Sequence, residues 1–295
     1  MKLRATMIGF SACLMWALLA LFTAASGTMP PFQLNAVCFA IGALPGILLF
    51  ILKPERLANL RQPAGAWATG IIGLFGYHFL YFTALRNAPA AEASMIAYLW
   101  PLFIVLGSAM LPGEKLRPVH VVGALIGFAG AALLVSGRAG GGAEEFSASQ
   151  RYMGYAAALA CAFTWSGYSL LSRRYGNVPT DVVTAFCIAT SVLSAVCHLF
   201  LETTVWPESA GQWLAVAGLG IFPVGLAFYT WDYGVKNGDI QLLGVASYAS
   251  PVLSTLALIA AGFAEPSWQV LTACLLVPGG ALLAVSGTLL KKKAA

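Results

Sequence analysis

One constant shift runs through this chain. Moving 150 positions along brings Asn87 onto Asn237, Tyr98 onto Tyr248, Pro101 onto Pro251 and Val135-Ser136-Gly137 onto Val285-Ser286-Gly287. Identities this numerous at one offset mark an internal duplication, so the fold must be one that half a chain can build twice.

The apolar runs decide what each half is made of. Hydrophobic residues make up 59% of the sequence and charged residues 9%, with a mean hydropathy of +0.81, whereas soluble domains carry about a quarter charged residues. This predicts an all-α polytopic membrane protein, because a helix satisfies its own backbone hydrogen bonds in lipid. Spans of about 20 residues are expected near 6–26, 33–52, 64–85, 90–111, 119–136, 152–171, 182–201, 213–235, 240–263 and 268–290. That makes ten transmembrane helices: a first five-helix repeat over 1–139, an inter-repeat loop over 140–151 containing Gly140-Gly141-Gly142-Ala143, and a second five-helix repeat over 152–295. The first run resembles a secretory signal, with Lys2 and Arg4 ahead of it and small residues at Ala24-Ala25-Ser26. It is long enough to span, however, and its Trp16 recurs as Trp165 at a shift of 149, so it is read as a retained helix.

Charge placement sets the orientation. Counted on alternate sides of the ten spans, Lys and Arg number thirteen on the side of Lys2 and three (Arg86, Arg138, Arg151) on the other. The basic-rich side faces the cytoplasm, so both termini are expected to be cytoplasmic. Five helices per repeat is odd, so the second copy enters from the opposite side. The repeats are therefore expected to be inverted, a transporter arrangement with a midplane site open to each face in turn.

The formal charge of +5 is scattered singly through loops, which argues against a nucleic-acid partner. Cys13, Cys38, Cys161, Cys187, Cys197 and Cys274 lie in apolar runs with no CxxC pair and no His at metal spacing, so neither a metal nor a cofactor is expected. The expected partners are a small-molecule substrate and membrane lipid, and the expected state is a monomer.

Candidate site residues are those whose chemistry lipid does not explain. Pro101 and Pro251 fall near mid-span, where proline deprives the carbonyls of Ala97 and Ser247 of a helical donor; each is a packing kink or an acceptor for a substrate ammonium. Trp16, Tyr77, His78, Tyr81, Tyr98, Trp100, Trp165, Trp231 and Tyr248 sit deeper than an interfacial aromatic belt, with Ser250 beside Pro251. Such rings would suit a flat, partly apolar ligand held by stacking or cation-π contact. Asp232 is costly within a span; proton coupling, pairing with a cation and a structural hydrogen bond all remain open for it. Gly123, Gly127 and Gly279-Gly280 predict close helix packing.

The segment Ala91-Glu92-Ala93-Ser94 through Pro101-Leu102-Phe103, then Pro112-Gly113-Glu114-Lys115-Leu116 and the glycine-rich helix ending Val135-Ser136-Gly137, resembles the EamA domain of the drug/metabolite transporter superfamily. A looser copy follows, with Ala264-Glu265-Pro266 near the place of Glu114-Lys115-Leu116. Within the superfamily, Tyr98-Leu99-Trp100-Pro101 and the Tyr77, His78, Tyr81 cluster are similar to YddG-type aromatic amino acid exporters. That resemblance implies export of aromatic and other neutral amino acids from the cytoplasm, by a chain in the bacterial inner membrane. A carrier of another small metabolite or a cationic drug is the alternative. An enzyme is disfavoured: Asp232 and Asp239 lie too close together to belong to separate helices, and neither HExxH nor GxSxG occurs. A channel lacks its ring of like charges.

Overall fold

In the computed structural model residues 2–136, 146–262 and 265–293 are described, and they form helices joined by short turns. The polyglycine link at 140–143, Gly137, Arg138 and Ala264 lie outside the described residues. Eight helices are long and apolar enough to cross a membrane: α1 (Lys2–Ala25), α2 (Pro31–Leu52), α3 (Ala64–Asn87), α4 (Glu92–Met110), α5 (Pro118–Ser136), α7 (Thr180–Leu201), α8 (Ala210–Asn237) and α9 (Ile240–Ala260). The chain is thus an all-helical polytopic membrane protein. Two further long helices of the described residues pack with them, α6 (Ala148–Arg174) and α10 (Trp268–Lys293).

Helix α6 is less apolar because of what it carries inward: Trp165, Ser166, Tyr168, Ser169 and Ser172 are all buried. It begins in a capping box, where the Ser147 hydroxyl accepts from the Gln150 amide and the Gln150 side chain accepts from the Ser147 N–H. This start precedes the expected one because the box extends the helix beyond its apolar run.

Small residues set the pairings. Gly9 of α1 meets Gly234 of α8, leaving 2.9 Å between a Cβ built on Gly9 and the Gly234 Cα. Gly154 of α6 packs against Ala88 at the end of α3, and Gly123 and Gly127 of α5 approach Gly280 of α10. The pairs α1–α8, α3–α6, α2–α7, α4–α9 and α5–α10 all pack together.

The α2–α7 pair is fastened along its length by polar groups. Arg56, just past α2, pairs with Asp181 at 3.0 Å. Near the start of α2, the Asn35 amide donates to Ser194 Oγ at 2.7 Å and Ser191 donates to the Ala36 carbonyl at 2.7 Å. At the other end Glu202 accepts from the backbone N–H groups of Phe32 and Gln33, each at 3.1 Å. Arg86 and His198 also pair with Glu202. Its carboxylate therefore caps the N-terminus of α2, where helical N–H groups lack intrahelical partners.

Candidate functional site

The backbone prepares the site at two places related by the same shift of 150. Helix α3 is interrupted by a π-helical turn at Ile72–Gly76, and α8 by one at Phe222–Leu226. A π turn widens the helix and re-aims the side chains that follow. In α3 those are Tyr77, His78 and Tyr81; in α8 they are Phe228 and Trp231. Each turn also receives a ring from another helix. Tyr168 lies against Gly73, so close that a Cβ there would sit 2.5 Å from the ring. At the equivalent position, the Trp16 indole donates to the Pro223 carbonyl at 3.1 Å.

The centre is a cluster of four tryptophans, one each from α1, α4, α6 and α8. Trp16 places its ring centroid 6.2 Å from Trp100, 5.7 Å from Trp165 and 5.2 Å from Trp231. Trp100 lies 6.3 Å from Trp165 and 5.7 Å from Trp231, and the last two are 6.1 Å apart. Every pair is thus within aromatic contact, mostly edge to face, the geometry favoured by ring quadrupoles. Trp100, Trp165 and Trp231 are buried and Trp16 half-buried. Trp231 is oriented by donating its indole N–H to Ser169 Oγ at 3.0 Å, while Ser169 donates to the Trp165 carbonyl at 3.0 Å.

A second tier of rings leans on the first. Tyr77 lies 5.4 Å from Trp165 and stacks on Tyr81 at 6.1 Å and 5°, and Tyr81 shares a hydrogen bond with Ser94. His78 sits edge-on to Phe39 at 5.1 Å. Its Nδ1–H donates to the Leu74 carbonyl at 2.7 Å, inside the π turn. Phe228 stacks on Phe39 at 5.4 Å and reaches Trp165 at 5.6 Å. Phe39 and Ser169 were not foreseeable as members, since neither stands out from its apolar or small neighbours until the helices are assembled.

The remaining candidates occupy several places in the bundle. Tyr98 is half-buried at the break between the two parts of α4, which ends one helix at Ala97 and restarts at Trp100. Pro101 follows in the restarted helix and is buried, with its carbonyl facing Gly244 of α9. Tyr248 is buried away from the tryptophans, its ring on Gly127 and 6.2 Å from Phe128. Ser250 donates to the Cys13 carbonyl at 3.2 Å, tying α9 to α1. Pro251 lies buried one residue further on. The Ser247 carbonyl, expected to be freed by Pro251, instead accepts from the Ser250 N–H at 3.0 Å through a tightened turn. Asp232 is 1% exposed; Lys236 donates to it at 2.7 Å and Thr180 at 2.7 Å.

Chemically, the cluster offers ring faces, ring edges and a few fixed donors. None of the ring contacts of the four tryptophans involves an ionised side chain among the described residues. It suits the apolar end of a planar ligand.

The EamA-like transporter family is matched over residues 3–136 and again over 152–286. The chain is 57% identical over 281 residues to "Aromatic amino acid exporter YddG" of Ancylobacter novellus, covering 95% of this chain and 96% of that protein. It is 26% identical over 292 residues to the protein of the same name in Escherichia coli K12, covering 95% and 96%. To "Pseudopaline exporter CntI" of Pseudomonas aeruginosa it is 25% identical, covering 90% and 88%. A solved crystal structure with 55% sequence identity superposes with a TM-score of 0.90, covering 96% of this chain and 98% of that one. The doubled match and the relatives that span nearly the whole sequence lead to one assignment: this chain belongs to the EamA-like transporter family.

Proposed function

We propose that the protein exports aromatic and other neutral amino acids across the bacterial inner membrane, with the four-tryptophan cluster receiving the substrate side chain. The observation that carries this reading is the meeting of Trp16, Trp100, Trp165 and Trp231 from four helices. The 57% identity to a protein named as an aromatic amino acid exporter agrees with it.

The chain works as ten spans in two inverted five-helix repeats, 1–139 and 152–295, joined by a loop at 140–151, with both termini cytoplasmic. The packing supports this. A shift of five helices exchanges the pairs α1–α8 and α3–α6 and returns α2–α7, α4–α9 and α5–α10 to themselves. In the α2–α7 pair the start of one helix meets the end of the other, so the two copies run in opposite directions. The halves rock about their seam, and the ring cluster on that seam faces each compartment in turn.

Proteoliposome flux for a panel of amino acids tests this. Tryptophan, phenylalanine and tyrosine are expected to saturate and to be accelerated by substrate on the opposite side. A linear flux without such acceleration would indicate a pore, and transport only of some other metabolite or cationic drug would overturn the substrate class.

A further inference from the structure

Asp232 follows Trp231 in α8, and its carboxylate is buried. It lines a small cleft with Thr69, Ser172, Tyr175, Phe186 and Lys236. The cleft lies at the end of the bundle where Arg173 donates to the carbonyls of Val235 and Lys236 and pairs with Glu114. The two charged side chains are nearly closed off, 1% exposed for Asp232 and 6% for Lys236.

Their bonding is lopsided. Both donors to the carboxylate, Lys236 Nζ at 2.7 Å and Thr180 Oγ1 at 2.7 Å, reach Oδ2. No side chain of the described residues bonds Oδ1. Lys236 spends a second N–H on the Val178 carbonyl at 2.9 Å, and an ammonium has three. The pair therefore keeps one acceptor oxygen and one donor in reserve beside a cleft.

An amino acid carries an ammonium and a carboxylate into the membrane together, and the tryptophans offer no opposite charge to either. Separating Asp232 from Lys236 with nothing between them would strand two buried charges. A zwitterion supplies the missing partner to each. Building on the substrate reading above, we propose that Asp232 and Lys236 form the recognition pair for the α-ammonium and α-carboxylate of the transported amino acid. They exchange their mutual ion pair for bonds to the ligand as it passes between this cleft and the tryptophans. Because only a zwitterion compensates both charges, the pair discriminates amino acids from indole compounds that bear a single charge.

The test measures tryptophan transport in proteoliposomes with tryptamine, which keeps only the ammonium, and indole-3-propionate, which keeps only the carboxylate, as competitors. Asp232→Asn is expected to raise the KM for tryptophan and the inhibition constant of tryptamine about tenfold while leaving indole-3-propionate unchanged. Lys236→Gln is expected to do the reverse to the two analogues. The double variant removes both charges together and so leaves neither unpaired. It is expected to insert normally, to raise the KM for tryptophan about tenfold and to lose the ranking among the three ligands. A purely structural ion pair predicts instead that the double variant keeps the wild-type KM and ranking, and that result overturns the proposal even if the single variants fail to fold. Trp100→Ala separates this from the substrate reading: it is expected to weaken all three ligands alike, and normal binding in that variant would displace the ring site without touching the pair.

Discussion

The indole N–H of Trp16 donates to the carbonyl of Pro223 at 3.1 Å, so a ring near the middle of α1 is held by the π turn of α8. The bond adds a directional constraint to the packing of Trp16 against its neighbouring rings. So held, it stands edge to face with Trp100 and with Trp165. Trp16→Phe, which keeps a ring but removes the donor, is expected to lower tryptophan transport several-fold with unchanged membrane insertion, measured as initial rates in proteoliposomes. The lost hydrogen bond is worth on the order of 1 kcal/mol, which corresponds to about that factor.

Trp100 touches Trp16, Trp165 and Trp231 at once. Trp100→Ala is expected to reduce transport at least about tenfold, since aromatic pairs contribute roughly 0.5 to 1.5 kcal/mol each beyond simple burial. Wild-type flux in that variant, with the protein inserted and monodisperse, would remove the tryptophans from the substrate path.

Tyr248 packs on Gly127 and Phe128, outside the cluster. Tyr248→Phe should leave KM and maximal rate unaltered. Tyr248→Ala should instead lower thermal stability by about 3 kcal/mol, the range for truncating a packed aromatic residue. A substrate-specific KM change in Tyr248→Phe would return this residue to the binding site.

Glu202 holds four groups together: two backbone N–H groups of α2, Arg86 and His198. Glu202→Gln retains its shape and loses its charge. It is expected to destabilise the protein by about 3 kcal/mol, as removal of one partner from a buried pair does, with a matching fall in melting temperature in detergent and little change in KM.

The two halves are also latched at the opposite end, where Glu114 pairs with Arg173 at 2.7 Å and Lys2 approaches Asp239 at 3.8 Å. These partners must part if substrate enters there. A reducible bifunctional methanethiosulfonate cross-link between Glu114→Cys and Arg173→Cys, long enough to replace the two side chains, in a background with the six native cysteines replaced, is expected to block transport and release it on reduction. Undiminished flux while cross-linked would mean that this end stays shut throughout the cycle.

Much of the ring cluster was legible in the sequence because its members repeat or stand mid-span. Trp16 and Trp165 answer each other at a shift of 149, and Tyr81 and Trp231 at 150. The same reasoning grouped Tyr98 with Tyr248, and there the packing differs. Tyr248 turns into the space above Gly127, but the residue equivalent to Gly127 in the second half is Val277, which carries a side chain where Gly127 has none. The duplication fixes equivalent positions in the chain, while the rotamer at each is chosen by neighbours that have since diverged. The bond from Lys236 to Asp232 spans one helical turn and was within reach of the sequence. The Glu202 cluster was not, since its partners come from α2, the end of α3 and α7.

On the rocking proposed above, the fastening of α2 to α7 at Arg56–Asp181, Asn35–Ser194 and Glu202 would make this pair an axle and the other helices the parts that swing on it. Spin labels on these two helices should report one unchanging distance throughout the transport cycle. Labels placed across the mouths, on α1 against α9 and on α4 against α6, should report two. What looks like mere adhesion would then be the fulcrum that turns a small tilt at the tryptophans into an opening at either surface.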